Sequence, residues 1–236
     1  MRLVLLDYTR DPLKVMCAVK AKIEGKHLFP DDISEHQAEE EFIDSVNSGI
    51  YGMFEFASFT FDIMDVTRAF THQLVRTRHA SYMQESMRFS VHRGELFSYL
   101  RDKPTLKGDA IEVYDETMKG IQEGYEALLD MGVSPEDARG VLPTDIFTSI
   151  CMKVDYRNLL HMAEQRMCLQ SQSEHRMFMD LVKESIGSQV SYLMAKQMVP
   201  SCVRNGFCNW GGRLDRPCSM QKKYNLKLMS EVVGGK

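Results

Sequence analysis

The chain has 236 residues, with 29 Lys+Arg against 33 Asp+Glu and a formal charge of −4. Its hydrophobic share of 44% and charged share of 26% are those of an ordinary globular protein, which excludes disorder, a collagen-like repeat and a disulfide-stapled miniprotein. The mildly acidic balance argues against a globally basic nucleic-acid binder.

The apolar run at 3–6 ends at Asp7 and is too short for a signal-peptide core. No stretch approaches about 18 uninterrupted apolar residues, so no membrane span is expected. Six cysteines are scattered without a Cys-x-x-Cys pair, and Cys202, Cys208 and Cys218 gather near the C-terminus. Without a paired histidine motif they are expected to be free thiols with no metal site, as in a cytoplasmic protein.

In chain order, 3–6 suits a buried strand. Asp11-Pro12 opens a helix through about Ile23, with Asp as N-cap. Residues 31–47 carry seven acids, yet Ala38, Phe42, Ile43 and Val46 recur at helical spacing, which predicts an amphipathic helix with a solvated acidic face. Alternation of Phe59, Phe61 and Ile63 with polar residues predicts a half-buried strand over 56–64. Helical periodicity returns at 66–76 and is strongest at 109–131. Ser134-Pro135-Glu136-Asp137 reads as an N-cap with an acidic first turn. Further helix is expected at 144–166, and one long helix at 173–198, before Pro200. The last 35 residues, with the lone Trp210, look irregular. The expected class is α+β: a helix-dominated single domain over 1–200 with a small mixed or antiparallel sheet, and 201–236 as an irregular extension of the same domain. Seventeen methionines read as flexible core filler.

Charge is unevenly placed. Between Val66 and Arg93 there are five arginines (68, 76, 78, 88 and 93) and one acid, Glu85. Guanidinium forks bind phosphate in bidentate fashion, with hydroxyls and backbone N–H groups completing the cradle. A solvated basic face or an intersubunit ion-pair network explains the same island equally well. A second basic set comprises Arg139, Arg157, His161 and Arg166. Arg157 and His161 share a helix face, whereas Arg166 is roughly half a turn out of phase with Arg157. Either a helix breaks between the two arginines, or they serve opposite sides of a ligand layer or different subunits.

Arg76-Thr77-Arg78, seven residues, then Ser86 resembles the Arg-His-Arg, seven residues, Ser signature of the flavin-dependent thymidylate synthases. The resemblance continues through Ala80-Ser81-Tyr82, Gln84, Arg88 and Phe89, the last in place of the usual Tyr. Upstream it includes Gln73 and Phe54-Glu55 before Phe59-Thr60-Phe61. Downstream, Ala138-Arg139-Gly140-Val141-Leu142-Pro143 and then Asp155-x-Arg157, Leu159, His161 and Arg166 follow the family's spacing. The likeness covers roughly residues 1 to 200.

This resemblance implies a homotetramer with active sites shared between subunits. It also implies FAD as cofactor, methylenetetrahydrofolate as carbon donor, NADPH as reductant and methylation of deoxyuridylate. By position, Glu55, Arg76, Thr77, Arg78, Gln84, Asp155, Arg157 and His161 would hold the flavin. Gln73, Arg76, Gln84, Ser86, Met87, Arg88, Arg139 and Arg166 would hold the nucleotide. Arg166 would be catalytic, stabilising negative charge on the pyrimidine. Ser86 is assigned to substrate contact, since no His/Asp pair at a recognisable spacing would activate it as a nucleophile. No membrane or nucleic-acid partner is implied. The chain departs from the family at Thr77 (usually His), at Ile50-Tyr51-Gly52 (usually His then Ser or Thr) and at Asp155 (usually Asn). These departures leave open a divergent synthase, a relative that stops at a hydroxymethyl product, and a flavin-binding homologue with impaired methylation. A non-enzymatic anion or nucleic-acid binding module is a further alternative.

Overall fold

Strand β1, Arg2–Tyr8, opens the chain and lies at the edge of a four-stranded antiparallel sheet in the order β1-β2-β4-β3. It is not the buried strand that its apolar run predicts. Leu3 and Leu5 are half-buried, while Val4, Leu6 and Tyr8 are exposed, because an antiparallel sheet can pack on one face and leave the other to solvent. The remaining strands are β2, Ser58–Thr67, β3, Ala80–Gln84, and β4, Phe147–Asp155. The computed structural model describes residues 1–94, 96–208, 218–224 and 227–228. Trp210 lies outside them.

The described chain forms two compact units. The first comprises residues 1–2, 62–76 and 82–152. It holds α3, Arg68–Leu74, the long α4, Asp109–Asp130, and the short α5, Pro135–Ala138. Thr67 caps α3 by accepting from Phe70 N at 2.9 Å, and Ser134 caps α5 by accepting from Asp137 N at 3.3 Å. The helix expected at 66–76 is thus shorter, because Thr67 is consumed as its cap. The buried face of α4 presents Met118, Gln122, Tyr125 and Leu129. Met118 joins Phe97 and Ile146 in one apolar cluster, while Tyr125 and Leu129 join Ala138 in another.

The second unit comprises residues 3–61, 77–81 and 153–236. Here α1, Pro12–Lys20, is followed by a 3-10 turn, Ala21–Glu24, so the predicted helix ends early. Asp11 precedes it at φ 46° and makes no side-chain cap, contrary to the expected N-cap role. Ser34 does cap α2, Glu35–Ser48. Ala38, Phe42 and Ser45 form its buried face, and Ile43 falls outside that stripe and is exposed. Phe42, Phe54, Phe59 and Tyr156 make an aromatic core with ring centroids 5.2–6.5 Å apart.

The segment expected to be helical from 144 onward is strand β4 as far as Asp155, and then α6, Tyr156–Arg166. Thr148, Ile150, Met152 and Val154 alternate as buried positions, a period of two that overrides helical propensity. The single helix predicted at 173–198 is two: α7, Ser173–Gln189, and α8, Tyr192–Gln197. Val190 leaves the helical region at φ −126°, and Ser191 caps α8. The C-terminal segment contains α9, Ser201–Asn205, β5, Phe207–Cys208, α10, Ser219–Tyr224, and β6, Lys227–Leu228, with β5 and β6 paired in parallel.

Candidate functional site

The signature residues divide between the two units. Gln73, Arg76, Gln84, Ser86, Met87, Arg88 and Arg139 lie in the first. Strand β3 leads into a turn opened by Ser86. The Ser86 carbonyl accepts from Phe89 N (3.1 Å) and Ser90 N (2.9 Å), and its hydroxyl accepts from Arg88 N (3.3 Å). Glu85 braces that turn. Its carboxylate accepts from Ser90 Oγ (2.7 Å), Thr148 Oγ1 (3.3 Å) and Ser149 N (3.3 Å). Its own N–H donates to the Ser149 carbonyl (3.0 Å). Gln84 donates to Thr71 Oγ1 at 2.9 Å, which ties the start of the turn to α3. Met87 is half-buried and packs on the Phe97–Met118–Ile146 cluster, so it anchors the turn from beneath.

Two of the arginines meet at one residue. Arg88 pairs with the Glu136 carboxylate at 3.1 Å, and Arg139 Nε donates to the Glu136 carbonyl at 3.0 Å. The Glu136 pair is about half exposed, so its net stabilisation is small and an anionic ligand can displace the carboxylate. Gln73 is exposed on α3.

The segment 76–79 follows α3. Arg76 and Arg78 are exposed, Thr77 is half-buried, and neither arginine makes an ion pair among the described residues.

Glu55, Thr77, Arg78, Asp155, Arg157, His161 and Arg166 belong to the second unit. Asp155 is the N-cap of α6. It accepts from Asn158 N at 2.8 Å and from Asn158 Nδ2 at 2.7 Å. Arg157 pairs with Glu55, not with Asp155. His161 meets Gln165 one turn along, at 2.8 Å. Helix α6 is unbroken from Tyr156 to Arg166, so Arg157 and Arg166 face opposite sides of it. Arg166 shares with His161, Glu164, Gln165 and Cys168 a cleft of about 590 Å³. Glu164 is paired there with Arg204 at 2.7 Å. Arg166 itself makes no ion pair among the described residues, so its guanidinium is left available to a ligand.

Residues 4–190 match the family model described as thymidylate synthase complementing protein. The chain belongs to that family. It is 33% identical over 218 residues to a flavin-dependent thymidylate synthase of Geobacter sulfurreducens, covering 90% of this chain and 92% of the relative. A flavin-dependent thymidylate synthase of Nitratidesulfovibrio vulgaris is 31% identical over 233 residues, again 90% and 92% of the two chains. One from Saccharolobus solfataricus is 31% identical over 203 residues, 84% of this chain and 77% of the relative.

Within this thymidylate synthase complementing protein fold, one residue of the arginine island gains a place that spacing alone did not assign. Arg68 Nη2 donates to the Glu85 carbonyl at 2.8 Å, and its Nε is buried without a hydrogen-bond partner among the described residues. Burial lowers its affinity for a proton, and the nearby Arg139 lowers it further against the opposing pull of Glu85. The two guanidiniums raise the positive potential beside the Ser86 turn. The only signal in the sequence was its membership of the island. Glu136, which gathers Arg88 and Arg139, lay in what read simply as an acidic first helical turn.

Proposed function

We propose that the chain is a flavin-dependent thymidylate synthase, which methylates deoxyuridylate with methylenetetrahydrofolate as carbon donor and NADPH as reductant. The observation that carries this reading is the Ser86 turn, braced by Glu85 and flanked by Arg68, Arg88 and Arg139, within a chain that matches the family over most of its length. A nucleotide 5′-phosphate fits that set. Arg88 exchanges the Glu136 carboxylate for a phosphate, and the Ser86 hydroxyl and Arg139 complete the contact. Gln73 and Gln84 supply amide hydrogen bonds to the nucleoside. Arg166, without an ion pair among the described residues, has the charge that the family resemblance calls for to stabilise negative charge developing on the pyrimidine.

The residues also fit FAD. Arg76 and Arg78, without ion pairs among the described residues, carry the charge that a diphosphate calls for. Asp155 spends its carboxylate on Asn158 at the head of α6, so the departure from Asn does not aim a bare charge at the cofactor. Asp and Asn cap helices about equally well. Arg157, held by Glu55, and His161 lie on one face of α6, next to which a flavin ring can rest. When bound, FAD supplies the one-carbon relay and the hydride, and the chain's own residues bind, orient and polarise.

Residues 1–200 are taken as the catalytic domain and 201–236 as its extension. No helix among the described residues is long and apolar enough to cross a membrane, and a cytoplasmic location accords with nucleotide biosynthesis. A homotetramer with shared active sites is supported by the exposed apolar residues Val4 and Leu6 of β1 and by Met83 and Phe89, which are 77% and 85% exposed before and within the nucleotide turn. The test is mass spectrometry of the product formed from deoxyuridylate, methylenetetrahydrofolate, FAD and NADPH. A methyl product is expected. A hydroxymethyl product or no turnover overturns the assignment.

A further inference from the structure

We propose that Arg176 is a positioning residue for Arg166, a role that rests on the assignment of Arg166 to the charge developing on the pyrimidine. Arg166 is the last residue of α6, and the chain reaches α7 through residues 167–172. That connector reads Met167-Cys168-Leu169-Gln170-Ser171-Gln172. One backbone bond, from Ser171 N to the Cys168 carbonyl at 2.9 Å, closes a turn across it. Arg176, near the start of α7, reaches back to the same turn. Its Nη1 donates to the Leu169 carbonyl at 3.0 Å and also to the Ser171 carbonyl, so one guanidinium nitrogen ties the chain on either side of Gln170. The side chain is half-buried and makes no ion pair among the described residues. Its charge is spent on these two carbonyls, and hydrogen bonds from a charged donor are the strong ones.

The connector is also a wall of the Arg166 cleft. Cys168, Gln170 and Ser171 line that cleft together with His161 and Arg166, and α7 packs on α6. Fixing the carbonyls of Leu169 and Ser171 therefore fixes both the chain that leaves Arg166 and the side of the space in which its guanidinium meets a ligand. A charge that must match a transition state tolerates little misplacement, and an error of about 1 Å is enough to cost a large factor in rate. Arginine suits this task because its planar fork is preorganised. Lysine carries the same charge as a point donor on a flexible stem and holds two such carbonyls less firmly. Arg176 contacts the connector, not the reacting atoms, and acts through Arg166.

The test is a double-mutant cycle on the full-length, flavin-loaded protein, read as turnover of deoxyuridylate with methylenetetrahydrofolate and NADPH. Arg176→Ala should lower kcat by about tenfold while KM for deoxyuridylate stays within about twofold of wild type, because the loss falls on the transition state. In the Arg166→Ala background the same change should cost less than about twofold, since the residue it positions is gone. Arg176→Lys should fall between wild type and Arg176→Ala. The proposal is overturned by wild-type kcat in Arg176→Ala, or by an equal loss with and without Arg166, which places the effect of Arg176 elsewhere. Should Arg176→Ala fail to fold, Arg176→Lys decides: a kcat equal to wild type, or an equal loss in the Arg166→Ala background, overturns the proposal. Absence of turnover in the wild type overturns the synthase reading, and this role with it.

Discussion

The turn at 86–90 and the segment 76–79 both belong to the arginine island, yet they are built in opposite ways. The turn is wired before any ligand arrives: Glu85 receives three hydrogen bonds, Gln84 is tied to Thr71, and Arg88 is parked on Glu136. The segment leaves Arg76 and Arg78 exposed and without ion pairs among the described residues. A preorganised turn recognises its ligand by shape and gives up little entropy on binding. A bare pair of guanidiniums contributes charge and takes its order from the bound group. Substitutions in the two places should therefore fail differently.

The largest expected effect lies outside both. Arg166→Ala should lower deoxyuridylate-dependent turnover by at least about a hundredfold, as loss of a group that meets developing charge does, while the purified protein still binds FAD. Near-normal turnover would remove Arg166 from its assigned role. The direct contrast is Arg88→Ala against Arg78→Ala. The first should raise KM for deoxyuridylate by roughly ten- to a hundredfold, the loss of one charge-assisted contact, with flavin content unchanged. The second should weaken FAD retention by about tenfold with KM for the nucleotide nearly intact. If both variants lose flavin and nucleotide together, the division between turn and segment is wrong.

A smaller effect concerns pH. His175, fully buried at the start of α7, has its proton affinity pushed down to about 3 from 6.5, first by burial and then by Arg166. Between those values the unfolded chain takes up a proton that the folded chain refuses. Stability should therefore fall as pH drops from 6.5 toward 3, and His175 adds no slope above that window. His175→Gln should flatten part of the slope in unfolding midpoints measured across the range. The smallest effect is expected from Asp155→Asn, since either residue caps α6. The change in unfolding free energy should stay within about 0.5 kcal/mol, with an unaltered flavin spectrum.

What was legible in the sequence followed from periodicity that packing also favours. Phe59, Phe61 and Ile63 are fully buried in β2, α4 spans nearly the whole range that its periodicity predicts, and α5 starts directly after its predicted cap, Ser134. Strand β4 was read as helix because its alternation of Thr148, Ile150, Met152 and Val154 is diluted by the apolar Phe147 and Cys151 on the other face, and short apolar runs do not declare their period. The phase problem between Arg157 and Arg166 was visible from spacing, and the unbroken α6 removes the helix break from its possible explanations. Braces made by backbone atoms left no trace in residue types. The hold of Arg68 on the Glu85 carbonyl, and of Glu85 on Ser149, depends on pairings that form only when distant strands meet.

Met87 gives the nucleotide turn a chemical weak point. Its thioether packs on Phe97, Met118 and Ile146 and holds down a turn whose other fastenings are polar. Conversion to the sulfoxide makes that side chain polar and ill-suited to an apolar bed, so the turn would lift while Ser86 and Arg88 stayed chemically intact. Peroxide treatment should then weaken nucleotide binding ahead of flavin binding, and a Met87→Leu variant should resist it. Thymidylate supply through this protein would in that way be tied to the oxidative state of its surroundings.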